Sequence, residues 1–167
     1  MARSKLHLIL AATVAVGTIA ARTAPTPRAN PEIEGVWRFH DEIDRRPDGS
    51  VFSAGPAAGY DGLLIFTGSG YMSATLVPKA RTWTLDSASP AELRETVEWT
   101  AAHAGRYELD PTTHTVRMES MVSLAPAEEG TWYPIQYALS HDTLSLSGPW
   151  NVHGEKLTFA LHLTRVK

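Results

Sequence analysis

The sequence predicts an all-β fold, an antiparallel up-and-down barrel of about eight or nine strands with one helix around residues 90–103. Three observations predict it. From residue 33 onward apolar residues recur mostly at period two, the spacing that sets alternate side chains on one face of a strand. Gly, Pro, Asn and Asp interrupt that pattern roughly every ten positions, marking turns. The connections between most successive runs are short. Neighbours in sequence therefore pair as antiparallel neighbours, and closing such a sheet removes its exposed edges.

The first strand is "GVWRFHDEI", starting at Gly35, followed by the turn "RRPDGS" and the loop "SAGPAAG". In "YDGLLIFTGSGYMSATLV" two apolar runs flank Gly68-Ser69-Gly70, which reads as a tight hairpin connection. Ser89-Pro90-Ala91-Glu92 has the form of a helix start, with Ser as N-cap, Pro at the first helical position and Glu placed to close a capping box. Leu93, Val97, Thr100, Ala101 and Ala104 follow at helical spacing, and Gly105 reads as the stop. The strands "RYEL", "HTVRMESMVSL", "TWYPIQYAL", "TLSLSG" and "KLTFALHLTRV" come next, separated by "DPTT", "APAEEG" and "SHD". In the last strand Leu157, Phe159, Leu161 and Leu163 share one face, and Lys156, Thr158, His162 and Thr164 share the other. One face meets an apolar interior and the other meets water.

The chain has 167 residues, 43% hydrophobic and 20% charged, ordinary values for one globular domain, expected over 33–167. A net charge of −3 with scattered Arg and Lys argues against nucleic acid, which needs a basic tract to neutralise phosphates. Residues 1–24 pair Arg3 and Lys5 with the apolar run "LHLILAATVAVGTIAA", the pattern of a signal peptide. His7 and the Ala, Thr and Gly content make that run a poor stable membrane span. Residues 25–32 form a Pro-rich linker. The expectation is a secreted or periplasmic protein. It has no cysteine, so no disulfide, thiolate metal site or Cys nucleophile is available.

On alternation the inward set includes Trp37, Phe39, Met72, Ala74, Leu76, Tyr107, Met118, Tyr133, Tyr137, Leu144, Leu146 and Phe159. Aromatic and thioether side chains with a few phenol hydroxyls suit an apolar or amphipathic small molecule. Phe39, Met72, Tyr107, Met118, Tyr133, Tyr137 and Phe159 are the candidate ligand contacts. The seven histidines show no spacing that aligns two on one strand or helix face, so no metal or cofactor is expected. Arg117 and Glu119 fall on the outer face, as an ion pair rather than a catalytic dyad. His114, in phase with Met118, is the single weak candidate for a general base. Gly68-Ser69-Gly70 lacks the G-x-S-x-G form of a nucleophile elbow.

"GVWRF", "GLLIFTGSGYMSATL", "AHAGRYELD", "SLAPAEEGT", "YALSHDTLSLSG" and the terminal "LHLTRV", in this order and spacing, resemble the lipocalin-like domain family of small bacterial and fungal β-barrels. The resemblance implies a lipocalin-like barrel whose first-strand Trp37 packs beneath Arg165 of the last strand, with Gly35 allowing the close approach. The chain departs from the family pattern at Met118 and Glu119, where one or two histidines are common, and at Ile135 and Leu163, where Arg and Trp are common. The resemblance thus carries the fold further than any mechanism. Three functions follow as expectations: binding a small apolar or amphipathic molecule inside the barrel, a cofactor-free cyclase or isomerase using the same cavity, or a partner-binding barrel with a filled core.

Overall fold

The period-two segments pair with their sequence neighbours, and the last returns to the first. In the computed structural model, which describes residues 32–52, 59–84, 86–152 and 154–167, the strands are β1 (Gly35–Arg45), β2 (Val51–Phe52), β3 (Tyr60–Phe66), β4 (Tyr71–Pro78), β5 (Ala101–Asp110), β6 (Thr115–Ser123), β7 (Trp132–Ser140), β8 (Thr143–Val152) and β9 (Glu155–Arg165). The expected signal peptide, nearly all of the linker, most of the "SAGPAAG" loop and His153 lie outside the described residues. All pairings are antiparallel, in the order β2-β1-β3-β4-β5-β6-β7-β8-β9, and β1 also pairs with β9. Eight strands close a lipocalin-like barrel, and β2 is an extra strand on the far end of β1.

Alternating strand direction sorts the connections into two ends. One end holds the start of β1, the end of β9 and the tight turns Thr67–Gly70, Pro111–His114 and His141–Asp142. The other holds the long connections: the β1–β3 segment with β2, the β4–β5 segment with α1 (Pro90–Glu98), and the β6–β7 segment with a short 3-10 turn, Pro126–Glu128. Ile33 and Trp37 are fully buried at the first, with Arg165 over the indole, and it is named the closed end; the second is named the open end.

Gly68-Ser69-Gly70 makes the expected hairpin. The Thr67 N–H donates to Tyr71 O at 2.9 Å, and Gly70 takes φ 80°, a left-handed conformation that glycine adopts without Cβ strain. The helix start is also as read from sequence. Ser89 accepts from the Glu92 N–H, and the Glu92 carboxylate accepts from the Ser89 N–H.

The helix end is a correction. It stops at Glu98 rather than His103, and Ala101–Ala104 belong to β5. Alanine is the best helix former, but intrinsic propensity yields to tertiary pairing, and here two strands compete for the backbone. Leu76 to Ser73 of β4 pair with Ala101 to Ala104 on one side, and Val122 and Ser123 of β6 pair on the other. Gly105 is not a helix cap. The β5–β6 register shifts between Ala104 and Gly105, and a Cβ there would collide with the Glu119 carbonyl oxygen. Its bareness serves a β-bulge where two backbones nearly touch.

The core sits toward the closed end. Trp37, Leu64, Phe66, Met72, Ala74, Tyr107, Val116, Met118, Tyr137, Leu144, Leu146 and Leu163 form one buried cluster with Ile33. At roughly 25 cal/mol per Å² of apolar surface removed from water, this cluster is the main stabilising force in a chain without disulfides. The Phe66 and Tyr107 rings meet edge to face at 4.9 Å. The Tyr107 hydroxyl donates to Thr67 O at 2.9 Å, so its polar tip is satisfied at the closed end.

Candidate functional site

Strict alternation along β1 puts Trp37, Phe39, Asp41 and Ile43 on one face. The structure breaks that phase. Phe39 lies opposite Leu163 of β9 and Asp41 lies opposite His162, so β1 advances two residues while β9 moves one. The extra residue is a β-bulge, and every side chain beyond it changes face. Trp37 and Phe39 stay inside and are buried. Beyond the bulge Glu42 pairs with Leu161 and Asp44 with Phe159, both on the inner side of β9. Ile43 turns outward, 36% exposed.

Two carboxylates are thereby aimed into the barrel. Asp41, turned out, lies between His40 (2.9 Å) and His162 on the surface, and the His162 hydrogen bond first of all holds it below the usual carboxylate range. The inner pair behaves oppositely. Burial pushes Glu42 up to about 7, with help from the Asp44 charge. Burial likewise pushes Asp44 up to about 6, opposed by the Trp150 indole N–H. That indole lies close enough to favour the charged carboxylate, yet it closes no hydrogen bond of good geometry. Asp44 Oδ1 and Trp150 Nε1 are both buried without a partner. Tyr60 completes the group. Its ring meets Phe39 edge-on at 5.9 Å, and burial and the two carboxylates raise its hydroxyl well above the usual phenol range.

The neighbouring cations are engaged elsewhere. Arg38 and Arg45 are exposed on the outer face. Arg46 is held by Glu155, the Val51 carbonyl and the Phe52 ring. His103 of β5, opposite the inward Ala74, also faces the interior. Burial lowers its affinity for a proton, partly offset by Glu128.

The residues singled out from sequence separate into groups. Met72, Tyr107, Met118 and Tyr137 belong to the packed cluster of the closed half. Phe39 is buried beside Tyr60, and Phe159 lies against Gly148, where an added Cβ would approach its ring at 3.2 Å. Tyr133, in register with Met118, is 37% exposed near the open end. His114 sits in the closed-end turn, exposed, with φ 52° and its ring 5.8 Å from Tyr137. It is far from the open mouth where a base could meet a ligand. Trp37, Gly35 and Arg165 come together: the Arg165 guanidinium stands 4.1 Å over the Trp37 ring and donates to the Glu32 and Glu34 carbonyls. A Cβ on Gly35, at φ 130°, would lie 2.8 Å from Arg165 Nη1.

Outside, Arg117 pairs with Glu108 at 3.1 Å and Glu119 with Arg106 at 2.6 Å. Both arginines stack on Trp132, so Arg117 and Glu119 are ion-paired on the surface, each with a β5 partner. Among the described residues no group of three or more His, Asp or Glu side chains could hold a metal ion. No helix there is long and apolar enough to cross a membrane.

Glu42, Asp44 and Tyr60 were not among the sequence candidates. The run "HDEID", in which alternation fails after Phe39, was the signal for Glu42 and Asp44; Tyr60 carried none. A family model described as a lipocalin-like domain matches residues 34–160. No curated protein matches the chain.

Proposed function

The chain belongs to the lipocalin-like domain family, and on that premise we propose that it binds a small amphipathic molecule in the open half of its barrel. One observation carries this reading. Several inner-face side chains toward the open end keep contact with solvent, between the buried Leu76, Ser120, Val152 and Leu157, whereas the middle of the closed half is sealed. Trp37, Leu144, Leu146 and Leu163 are at most 1% exposed. Glu42, Tyr60, His103, Phe159 and Leu161 are only partly buried, and Tyr133 is exposed. A side chain on the inner wall reaches solvent only through the interior, so this pattern supports a floor of packed core beneath an open chamber.

The chamber wall suits an amphipathic guest. Phe39, Tyr60, Phe159 and Leu161 offer apolar surface, worth about 0.8 kcal/mol per methylene buried. Glu42, Asp44 and the Tyr60 hydroxyl are the sparse polar groups that orient a ligand. Of the contacts named from sequence, Phe39, Tyr133 and Phe159 belong to this chamber, while Met72, Tyr107, Met118 and Tyr137 serve as its floor.

Titration with the neutral fluorescent probe N-phenyl-1-naphthylamine tests the reading. Saturable enhancement, weakened at least fivefold by Phe159→Ala and unchanged by the outer-face Arg117→Ala, is the expected result. A probe that fails to bind a well-folded protein overturns it. The signal-peptide pattern further supports export, with cleavage after Ala20 or Thr23. Mass measurement of the exported protein should find a new N-terminus there, and an intact Met1 would refute it.

A further inference from the structure

We infer that the ligand of this chamber carries a protonated amine on an apolar body, seated with the amine between the Glu42 and Asp44 carboxylates and beside the Tyr60 ring. The inference rests on the interior-binding reading and deepens it. Three observations carry it, all independent of the family match.

The bulge at Phe39–Asp41 is the first. It turns two consecutive inner positions of β1 into acids, Glu42 and Asp44, where uninterrupted alternation would have placed Asp41 and Ile43 inside. The bulged strand therefore sets a pair of carboxylates on the inner wall where the unbulged one would set a single acid beside an isoleucine. Second, the acids have no counter-charge among the described residues. Groups facing the pair are Tyr60 of β3, Trp150 of β8, and Leu161 and Phe159 of β9, with His103 on the inner face of β5. No Lys or Arg is among them. The nearest arginines are outside or bound to Glu155, and His162 is held by Asp41 on the surface. Buried carboxylates left unpaired are unfavourable, and a cation supplied by a ligand would relieve that.

Third, the surroundings match an ammonium group rather than a bare charge. Asp44 Oδ1 is buried and closes no hydrogen bond of good geometry, with the Trp150 indole N–H nearby, so a ligand N–H would complete its coordination. The Phe39–Tyr60 pair and Phe159 present ring surface beside the carboxylates, which attracts cations through the ring quadrupole. A fatty acid would bring a third negative charge to the same place. A neutral alcohol would bring no counter-charge to either carboxylate.

Both carboxylates take up a proton at mildly acidic pH, Glu42 at about 7 and Asp44 at about 6. Amine binding should therefore strengthen as pH rises from 5 to 8, while binding of a neutral ligand should hardly change.

The test is displacement of N-phenyl-1-naphthylamine by decylamine, decanol and decanoate at pH 8 and pH 5. At pH 8 decylamine should displace the probe at a concentration at least tenfold below that of decanol, with decanoate weakest. At pH 5 the preference for the amine should fall below threefold. It should also vanish at pH 8 in Glu42→Gln/Asp44→Asn, where decylamine and decanol should displace the probe at concentrations within threefold of each other; the single variant Glu42→Gln, expected to be more stable than wild type, gives a second reading of the same loss. Equal displacement by decanol and decylamine overturns the inference and leaves interior binding standing. So does tightest binding of decanoate, or an amine preference that survives in the double variant. If the probe itself does not bind, interior binding falls and the inference falls with it.

Discussion

Glu42→Gln should make the protein more stable, and only above about pH 5. The perturbation is isosteric: at low pH the wild-type side chain is a neutral carboxyl of nearly the same shape as the amide. Burial and the neighbouring Asp44 charge raise the folded-state value from 4.5 to about 7. With the folded value above the unfolded one, the folded protein holds the proton more tightly. The associated stability is complete below about 4.5 and is lost as pH rises through about 7, the sign opposite to that of a salt-bridged acid. At about 1.4 kcal/mol per tenfold change in acidity, the loss by pH 8.5 is about 3 kcal/mol. Glutamine carries no charge to desolvate and escapes it. For a domain of this size about 3 kcal/mol is worth about 6–12 °C in melting temperature. Thermal melts of ligand-free wild type and variant at pH 4, 6 and 8.5, followed by circular dichroism, read the difference directly. His103 and Asp41 also titrate, but they are common to both proteins and largely cancel in the comparison. Curves that separate progressively with pH are the expected result. Curves that stay parallel, or a variant less stable at pH 8.5, would refute the placement of an uncompensated carboxylate inside the barrel.

Three further perturbations probe the frame. Trp37→Ala removes a fully buried indole from beneath Arg165 and should lower stability by about 3–5 kcal/mol in urea unfolding; a loss under 1 kcal/mol would contradict its place in the core. Gly105→Ala forces a methyl into the Glu119 carbonyl and should be destabilising by about 1–3 kcal/mol, whereas a helix-stop glycine replaced by alanine would be tolerated better. Ser89→Ala removes the capping box of α1, worth about 1 kcal/mol locally. No residue of α1 is buried, so amide exchange in Pro90–Glu98 should quicken while the melting temperature of the barrel hardly moves.

How far the sequence could be read depended on where the information lay. A capping box is written in four consecutive residues, Ser89 to Glu92, and a hairpin in three, Gly68 to Gly70, so both were legible. The faces of β8 and β9 were legible as well, because nothing interrupts the alternation of Leu144, Leu146 and Gly148 or of Leu157 to Leu163. Ala101–Ala104 was misread as helix since three alanines around His103 carry no clear period of their own, and their partners on β4 and β6 are distant in sequence.

By itself, then, the sequence determined the barrel: local periodicity and turn chemistry specify antiparallel strands in chain order, and an apolar inner face drives them to close. Tertiary structure alone decided that His114 sits in the turn at the closed end, near Tyr137, and that Glu42 and Asp44 face the interior. The physical reason is that a β-bulge belongs to two strands at once. Whether β1 carries one residue too many depends on how many residues β9 sets against it, and one extra residue turns a solvent-facing acidic run into the inner wall.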